Sequence, residues 1–288
     1  MAGKKSRWNK LCKSVEADDG LYARESGFWA EEKLFFWNRY IEITTTAMVG
    51  HPAWPNGLAY VDLFAGPGVC FDRESKFRFP GSPLIAANAP KCFSKILLCD
   101  KDPRACDTCD ARMKNSPSVG CYEIHRGDCN QEIDVIVEKI PDGALTLAFL
   151  DPTGLHLHFT TVRKLSNHGP VDLLILFPDA VDILRNADHL YFDQPDSNLD
   201  LVLGQTSDWR NRKQALGSSD GAKLRQLFAD IYRDQLQANA GYNFFAEEVI
   251  SGRTGPLYRL VYATKHERGL DFWEKSVKKE LSGQKRLF

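Results

Sequence analysis

Apolar residues recur at helical spacing from Phe28 to Met48 (FWAEEKLFFWNRYIEITTTAM) with little Gly or Pro, which predicts one long amphipathic helix. HPAWPNG breaks it. The next run, Ala59–Phe64 (AYVDLF), is continuously apolar until Asp62, the pattern of a strand buried on both faces. A glycine turn and a charged insertion, FDRESKFRFPGS, lead to PLIAANAP, a short helix with Pro83 suited to its first turn. SKILLCDKDP then predicts a second strand, Arg104–Asn115 a helix, CYEIHRGDCN a third strand and turn, and Gln131–Lys139 a helix. ALTLAFLDP is the fourth strand, Thr160–Ser166 a helix, and VDLLILFPD the fifth strand. After the long helix Gly221–Asn239 come two β-rich runs, NFFAEEVIS and PLYRLVYATKH, with only GRTG between them, too little for a crossover. They should pair as an antiparallel hairpin.

Five strands alternating with helices imply right-handed crossovers and a parallel sheet covered on both faces. The expected fold is α/β and Rossmann-like: a mostly parallel, seven-stranded sheet with an antiparallel C-terminal strand pair and added helices. The pattern divides into an N-terminal helical extension (1–55), an α/β domain (56–265) and a C-terminal helix and tail (266–288). Within the domain, 188–219 is the least periodic stretch and reads as an insertion, either a substrate-recognition lid or a solvated loop.

Composition narrows the class. The 288 residues carry 43% hydrophobic positions and a formal net charge of -1, enough apolar surface for a substantial core and too little net charge to draw polyanions over the whole surface. Basic residues gather instead at the ends, in KKSRWNKLCK and around Lys278, Lys279, Lys285 and Arg286. No apolar run approaches the roughly 18 to 20 residues of a membrane helix, so a cytoplasmic protein without membrane contact is expected. Eight scattered cysteines suggest reduced thiols rather than a disulfide framework. Cys106 and Cys109 form a lone CxxC without a second ligand pair, which favours a helix over a metal site.

Candidate chemistry lies where the strands end, because ligands of open α/β sheets settle outside the strands' carboxyl ends near the reversal of winding. Gly66 and Gly68, in DLFAGPG, permit unusual dihedrals and close approach of a ligand to the backbone. Asp62, inside an apolar strand, needs a partner. Asp100 follows ILLC and can accept both hydroxyls of a ribose; Asp102 with Pro103 can start the next helix instead. Asp128, in GDCN, suits an adenine amino group or a helix cap. Asp151 emerges from the fourth strand into Pro152, a place to orient an amino or hydroxyl nucleophile and receive its proton. His156 and His158 alternate with leucines and would share a face of an extended segment. An acid after the second strand is common to NAD and S-adenosylmethionine sites. An Asp-Pro after the fourth is not required by dehydrogenases, which favours S-adenosylmethionine.

Taken together, YVDLFAGPG, GSPLIA, CDKDP, GDCN and FLDPTGL resemble the three-Cys-motif partner proteins (TcmP), a bacterial family with a class I S-adenosylmethionine-dependent methyltransferase-like fold; the likeness spans about Tyr60 to Phe177. It implies a cofactor pocket formed by Asp62, Phe64, Ala65, Gly66, Pro67 and Gly68, by Asp100 and Lys101, and by Asp128 and Cys129. In it the glycine turn lies near the methionine portion, Asp100 at the ribose and Asp128 at the adenine. Asp151 and Pro152 become the catalytic pair, and a three-Cys-motif protein becomes a partner. The DLFAGPG turn is closest to those of nucleic-acid methyltransferases, so nucleic acid is the expected substrate. Asp151-Pro152 also opens the Asp-Pro-Pro-aromatic motif by which amino-directed DNA methyltransferases hold a flipped base. Thr153 and Gly154 replace its last two positions, leaving Phe177 and Phe159 as alternative aromatic donors. A methyltransferase-like scaffold without activity, working through its partner, is the competing reading. Finally, Gln284, Leu287 and Phe288 in the terminal GQKRLF resemble the tails that dock on the replication sliding clamp.

Overall fold

The structure is a computed structural model that describes residues 6–253 and 255–278. The elements run α1 (Arg7–Ser14), β1 (Arg24–Ser26), α2 (Trp29–Met48), β2 (Leu58–Asp62), β3 (Val69–Asp72), β4 (Arg78–Pro80), α3 (Ser82–Ala87), β5 (Lys95–Asp100) and α4 (Pro103–Met113). They continue with β6 (Tyr122–Arg126), α5 (Cys129–Glu138), β7 (Leu145–Leu150), α6 (Phe159–Asn167) and β8 (Val171–Phe177). After α7 (Leu184–Asn186), α8 (Asn198–Leu203), α9 (Trp209–Leu216) and α10 (Gly221–Ala240), the hairpin β9 (Phe244–Gly252) and β10 (Gly255–Thr264) precedes α11 (Glu267–Val277). Seven strands form one sheet in the order β6-β5-β2-β7-β8-β10-β9. β2 lies parallel to both β5 and β7, whereas β10 is antiparallel to β8 and β9, as the apolar runs and the short GRTG link require. Every residue of β2, β7 and β8 is buried, which is why these strands read as continuous apolar runs.

The chain forms two compact units, one running to Phe149 and resuming at Asp271, the other spanning Leu150–Leu270. In the first, Trp37 of α2 is stacked on Tyr40 (5.4 Å) and on Phe149 of β7 (5.3 Å), and its indole N–H donates to the Tyr60 hydroxyl at 3.1 Å. Trp273 of α11 meets Tyr40 edge-on. The charged stretch after the glycine turn is a hairpin rather than a loose insertion: β3 pairs antiparallel with β4 and parallel with β1 in a second, three-stranded sheet. The buried Asp72 closes that hairpin by accepting the Ser75 backbone N–H (2.8 Å) and hydroxyl (2.7 Å). Strands of three or four residues carry too little periodicity to be read in advance.

The second unit packs Phe177 flat on Tyr232 of α10 (4.7 Å), with Phe159 edge-on to the same ring. Its aperiodic stretch is largely helical. Residues 179–183 and 187–191 wind as π-helical turns around α7, and α8 starts with a reciprocal Ser197–Asp200 capping box. A polar staple replaces the missing apolar stripe. Asp200 accepts the Trp209 indole N–H (2.7 Å) and an Arg210 N–H (2.8 Å), while Arg210 also donates to the carbonyls of Tyr191, Phe192 and Gln194. A hydrogen-bond network among distant residues has no period, so spacing could not reveal it. Removing the guanidinium leaves the mostly buried Asp200 carboxylate without its cation, held only by Trp209 and Ser197, and takes the side-chain donor from three carbonyls. Arg210→Ala should therefore lower the unfolding free energy by about 2–3 kcal/mol in urea titrations, and an unchanged midpoint would show that the staple contributes nothing.

Candidate functional site

β2 is the switch point of the sheet, since the chain leaves it for β5 and β6 on one side and returns to β7 on the other. Asp62, the last residue of β2, is fully buried; one carboxylate oxygen accepts the Phe64 backbone N–H (3.1 Å) and the other the Tyr60 hydroxyl (3.3 Å). Burial pushes the Tyr60 phenol well up and the Asp62 charge adds to this, so Tyr60 stays a donor. The turn beyond it needs left-handed backbone at Gly66 (φ 63°) and Gly68 (φ 85°), which is the reason for both glycines: a Cβ at either would meet only ordinary contacts. Closer approach occurs at Gly81. Its N–H donates to the Gly68 carbonyl at 2.8 Å, and a Cβ there would lie 3.0 Å from the Gly68 carbonyl carbon.

Asp100, at the tip of β5, joins this turn to the neighbouring strand. Its Oδ2 accepts the Gly66 N–H at 2.8 Å, its Oδ1 the Asp102 N–H at 2.9 Å, and its carbonyl accepts from Gly127 and the Cys106 thiol. Phe64 is half-buried, Ala65, Gly66, Pro67 and Gly68 are buried, and Lys101 is exposed. Asp102 and Asp128 cap α4 and α5, accepting from Arg104 N–H and Asn130 N–H respectively. Cys129, the first residue of α5, is buried, and that burial pushes its thiol up to about 12, which leaves it protonated and inert. Cys106 and Cys109 lie on α4, and among the described residues no group of three or more His, Cys, Asp or Glu side chains is arranged to hold a metal ion.

Three residues that spacing did not single out complete the site. The segment before β1 folds as an arm over the glycine turn, held by Arg112 of α4. Arg112 donates two N–H groups to the Asp19 carboxylate (2.8 and 2.9 Å) and a third nitrogen to the carbonyls of Tyr22 (2.8 Å) and Pro67 (2.6 Å). Beyond Tyr22, Arg24 of β1 lies against Gly66, its guanidinium carbon 3.5 Å from where a Cβ would stand, and 3.7 Å from Asp100 Oδ2. The signal for these residues is contact across 42 to 93 positions, which no local window contains.

In the second unit, Asp151 is the first residue past β7 and half-buried, and Pro152 is buried. Burial raises the Tyr258 phenol; the Asp151 charge adds to this, while Arg185 opposes it. The LHLH segment corrects the expectation of an extended strand with both histidines on one face. His156 N–H closes a turn onto the Gly154 carbonyl (2.9 Å), leaving His156 exposed, and His158 stands at the N-cap position of α6 without a side-chain capping bond; burial of Leu155 and Leu157 around the turn outweighs strand alternation. Phe177 and Phe159, named as alternative aromatic donors, are both buried against Tyr232. The tail residues Gln284, Leu287 and Phe288 lie outside the described residues.

Strand order, the reversed β10 and the switch-point turn together define a Rossmann-like fold of the class I methyltransferase type. LPL1258 from Legionella pneumophila aligns over 90% of this chain and 94% of its own, with a TM-score of 0.50 and 10% identity. An O-methyltransferase from Bacillus cereus, solved in complex with SAH, covers 92% and 94% at a TM-score of 0.47 and 8% identity; cofactor-bound Rv0187 from MTB covers 90% and 88% at 0.44 and 8%. At 10% identity the likeness to LPL1258 is one of fold alone. No family model matches the chain, and no curated protein matches its sequence. No helix among the described residues is long and apolar enough to cross a membrane.

Two outcomes follow from this geometry. Hydrogen bonds from Arg112 hold the Asp19 carboxyl down at about 2, against an ordinary value of 3.8. The contact therefore stabilises the arm fully above pH 3.8 and is lost as the pH falls through 2. An NMR titration of Asp19 should give that low midpoint in the native protein and a higher one in Arg112→Met, where only the Leu21 N–H and Arg78 still favour the carboxylate; a midpoint near 4 in both would refute the tether. Gly81→Ala forces a methyl group onto the Gly68 backbone and should cost about 1–3 kcal/mol in thermal or urea unfolding.

Proposed function

We propose that this chain is an S-adenosylmethionine-dependent methyltransferase acting on nucleic acid, allied to the TcmP proteins and working beside a three-Cys-motif partner. The observation that carries the reading is the Asp100 carboxylate, fixed at the tip of β5 beside a left-handed glycine turn at the switch point of the sheet. The donor set fits the cofactor: a carboxylate with acceptor sites beyond its two backbone bonds suits ribose hydroxyls. Bound there, S-adenosylmethionine supplies a methyl group activated by its sulfonium.

The chain's own residues then bind and orient. Asp62 and Asp100 hold the turn and the sugar, and Asp151 aligns the acceptor amine or hydroxyl and takes up its proton. For an acceptor that is already nucleophilic, alignment carries most of the rate. The resemblance of DLFAGPG to nucleic-acid methyltransferases supports the substrate class. With a net charge of -1, the polyanion contact has to be local, as at the basic termini.

One observation favours an inactive scaffold instead: the Asp-Pro-Thr-Gly departure leaves no aromatic beside Asp151 in sequence, and Phe177 and Phe159 are committed to the core. Calorimetric titration with S-adenosylhomocysteine and with NAD, followed by transfer of labelled methyl to mixed cellular nucleic acids, separates the readings. Homocysteine-analogue binding without NAD binding, with label in nucleic acid, is expected. Asp151→Ala should keep cofactor affinity within about twofold while reducing transfer at least 100-fold. Normal transfer by that variant would remove Asp151 from the mechanism, and binding of neither ligand would sink the methyltransferase reading itself.

A further inference from the structure

Of the phenylalanines among the described residues, only Phe28 and Phe77 are exposed, and both stand at one end of the small sheet β1-β3-β4. Ser26 pairs with Asp72, whose N–H donates to the Phe77 carbonyl at 2.9 Å, so the backbones of Ser26 and Phe77 flank β3. Two strand spacings, about 9–10 Å, separate them. Phe28 is 48% exposed and meets the half-buried Trp29 edge-on at 5.6 Å. A Cβ on Gly27 would lie 2.1 Å from the Trp29 ring, so the indole covers the face from which a side chain would project. The backbone of Gly27 is not left-handed, and glycine at this position therefore serves the placement of the indole. Cations stand at the same end of the sheet. The Arg73 backbone N–H donates to the Ser26 carbonyl at 2.9 Å, and the Arg73 guanidinium, 68% exposed, bonds Glu25 at 2.6 Å. An ion pair so open to water contributes little stability and is readily exchanged. Lys76, exposed in the same hairpin turn, stands over the Phe71 ring at 5.5 Å.

We propose that Phe28 and Trp29 stack an unpaired base of single-stranded nucleic acid, while Arg73 and Lys76 meet its phosphates. The inference rests on the nucleic-acid reading and deepens it, naming a strand without its complement as the form bound. Rings beside cations match the two parts of a nucleotide: an aromatic face accepts any base, and the cations neutralise the backbone that joins the bases. A duplex offers the rings nothing, because its base faces are already stacked on one another. The patch is small in charge. Glu25 lies beside Arg73, and Glu31 and Glu32 occupy the first turn of α2, so no general attraction for polyanions arises and stacking carries the affinity. With about two phosphates neutralised on a single strand, log affinity should fall against log salt with a slope of only about -1.4.

The test is fluorescence anisotropy with three labelled oligonucleotides: a single strand, its duplex, and the same single strand with abasic sites throughout, which keeps the phosphates and removes the bases. The native protein should bind the intact single strand most tightly. Phe28→Ala and Trp29→Ala should each weaken that binding by roughly 5- to 100-fold, the loss of one stacked base. Neither should change the affinity for the abasic strand or for S-adenosylhomocysteine by more than about twofold, which also shows that the variants are folded. Trp29→Phe should recover most of the affinity, whereas Gly27→Ala, which displaces the indole without removing it, should behave as Trp29→Ala does. Equal losses for intact and abasic strands would make the rings structural and overturn the proposal, as would variants that bind like the native protein or tightest binding of the duplex. Binding of S-adenosylhomocysteine without binding of any oligonucleotide would overturn this inference and assign the rings to a protein partner, leaving the methyltransferase reading in place. Binding of the single strand without S-adenosylhomocysteine would remove the cofactor reading alone.

Discussion

A single buried guanidinium, that of Arg112, organises the first unit. A cation removed from water has to be met by acceptors on every side, or its desolvation destabilises the fold by several kcal/mol. Here the acceptors come from two places, Asp19 and Tyr22 on the arm and Pro67 on the glycine turn, up to 93 residues from Arg112 in sequence. Satisfying the charge thus requires arm, turn and helix to be in place together. The arm carries few apolar residues of its own and would fray if hydrophobic burial were its only support. Arg112 converts it into part of the site, and the low Asp19 carboxyl is the same interaction seen from its partner.

How much of this was legible in the sequence follows from which forces leave a periodic trace. Strands buried on both faces must be apolar throughout, so β2, β5, β7 and β8 stand out, and a four-residue link between two β-rich runs allows only the observed hairpin. Glycines at positive φ and an acid at a strand tip are local as well, and Asp62, Gly66, Gly68 and Asp100 are brought together at the switch point. β1, β3 and β4 are too short to show a period. Arg24 and Arg112 matter through partners far along the chain, and an arginine in a helix such as PRACDTCDARM looks like any solvated charge until the fold encloses it. His156 and His158 illustrate the opposite error, alternation without a strand, because two leucines can be buried around a turn as readily as along one face.

The second unit follows a different rule from the first. Its β8 and β10 are apolar, but beyond β8 the chain meets buried charge: Asp179 is fully buried and receives N–H groups from Arg259 of β10 (3.1 Å) and Arg225 of α10 (3.3 Å). Further along the chain, Asp200 and Arg210 repeat the device. Charge pairs of this kind contribute less net stability than apolar packing of the same volume, yet they penalise every arrangement that separates them. Segments 179–191 and 191–216 are thus given one geometry by polar partners where apolar patterning is weak.

Asp100 poses the sharpest question about role, because its carboxylate already holds backbone on both oxygens. Its acceptor capacity says otherwise. Each oxygen carries two lone-pair sites, and the Gly66 and Asp102 N–H groups use one on each, so two hydroxyl donors can still be accepted. The backbone bonds also fix the carboxylate before any ligand arrives, so the ordering of that side chain is not charged against binding. Asp102 and Asp128 lack this combination, since each uses its carboxylate at the end of its own helix and neither reaches across to the glycine turn with a hydrogen bond among those observed. Structural and ligand-reading roles at Asp100 are therefore one arrangement: the bond that closes the turn is the bond that aims the carboxylate.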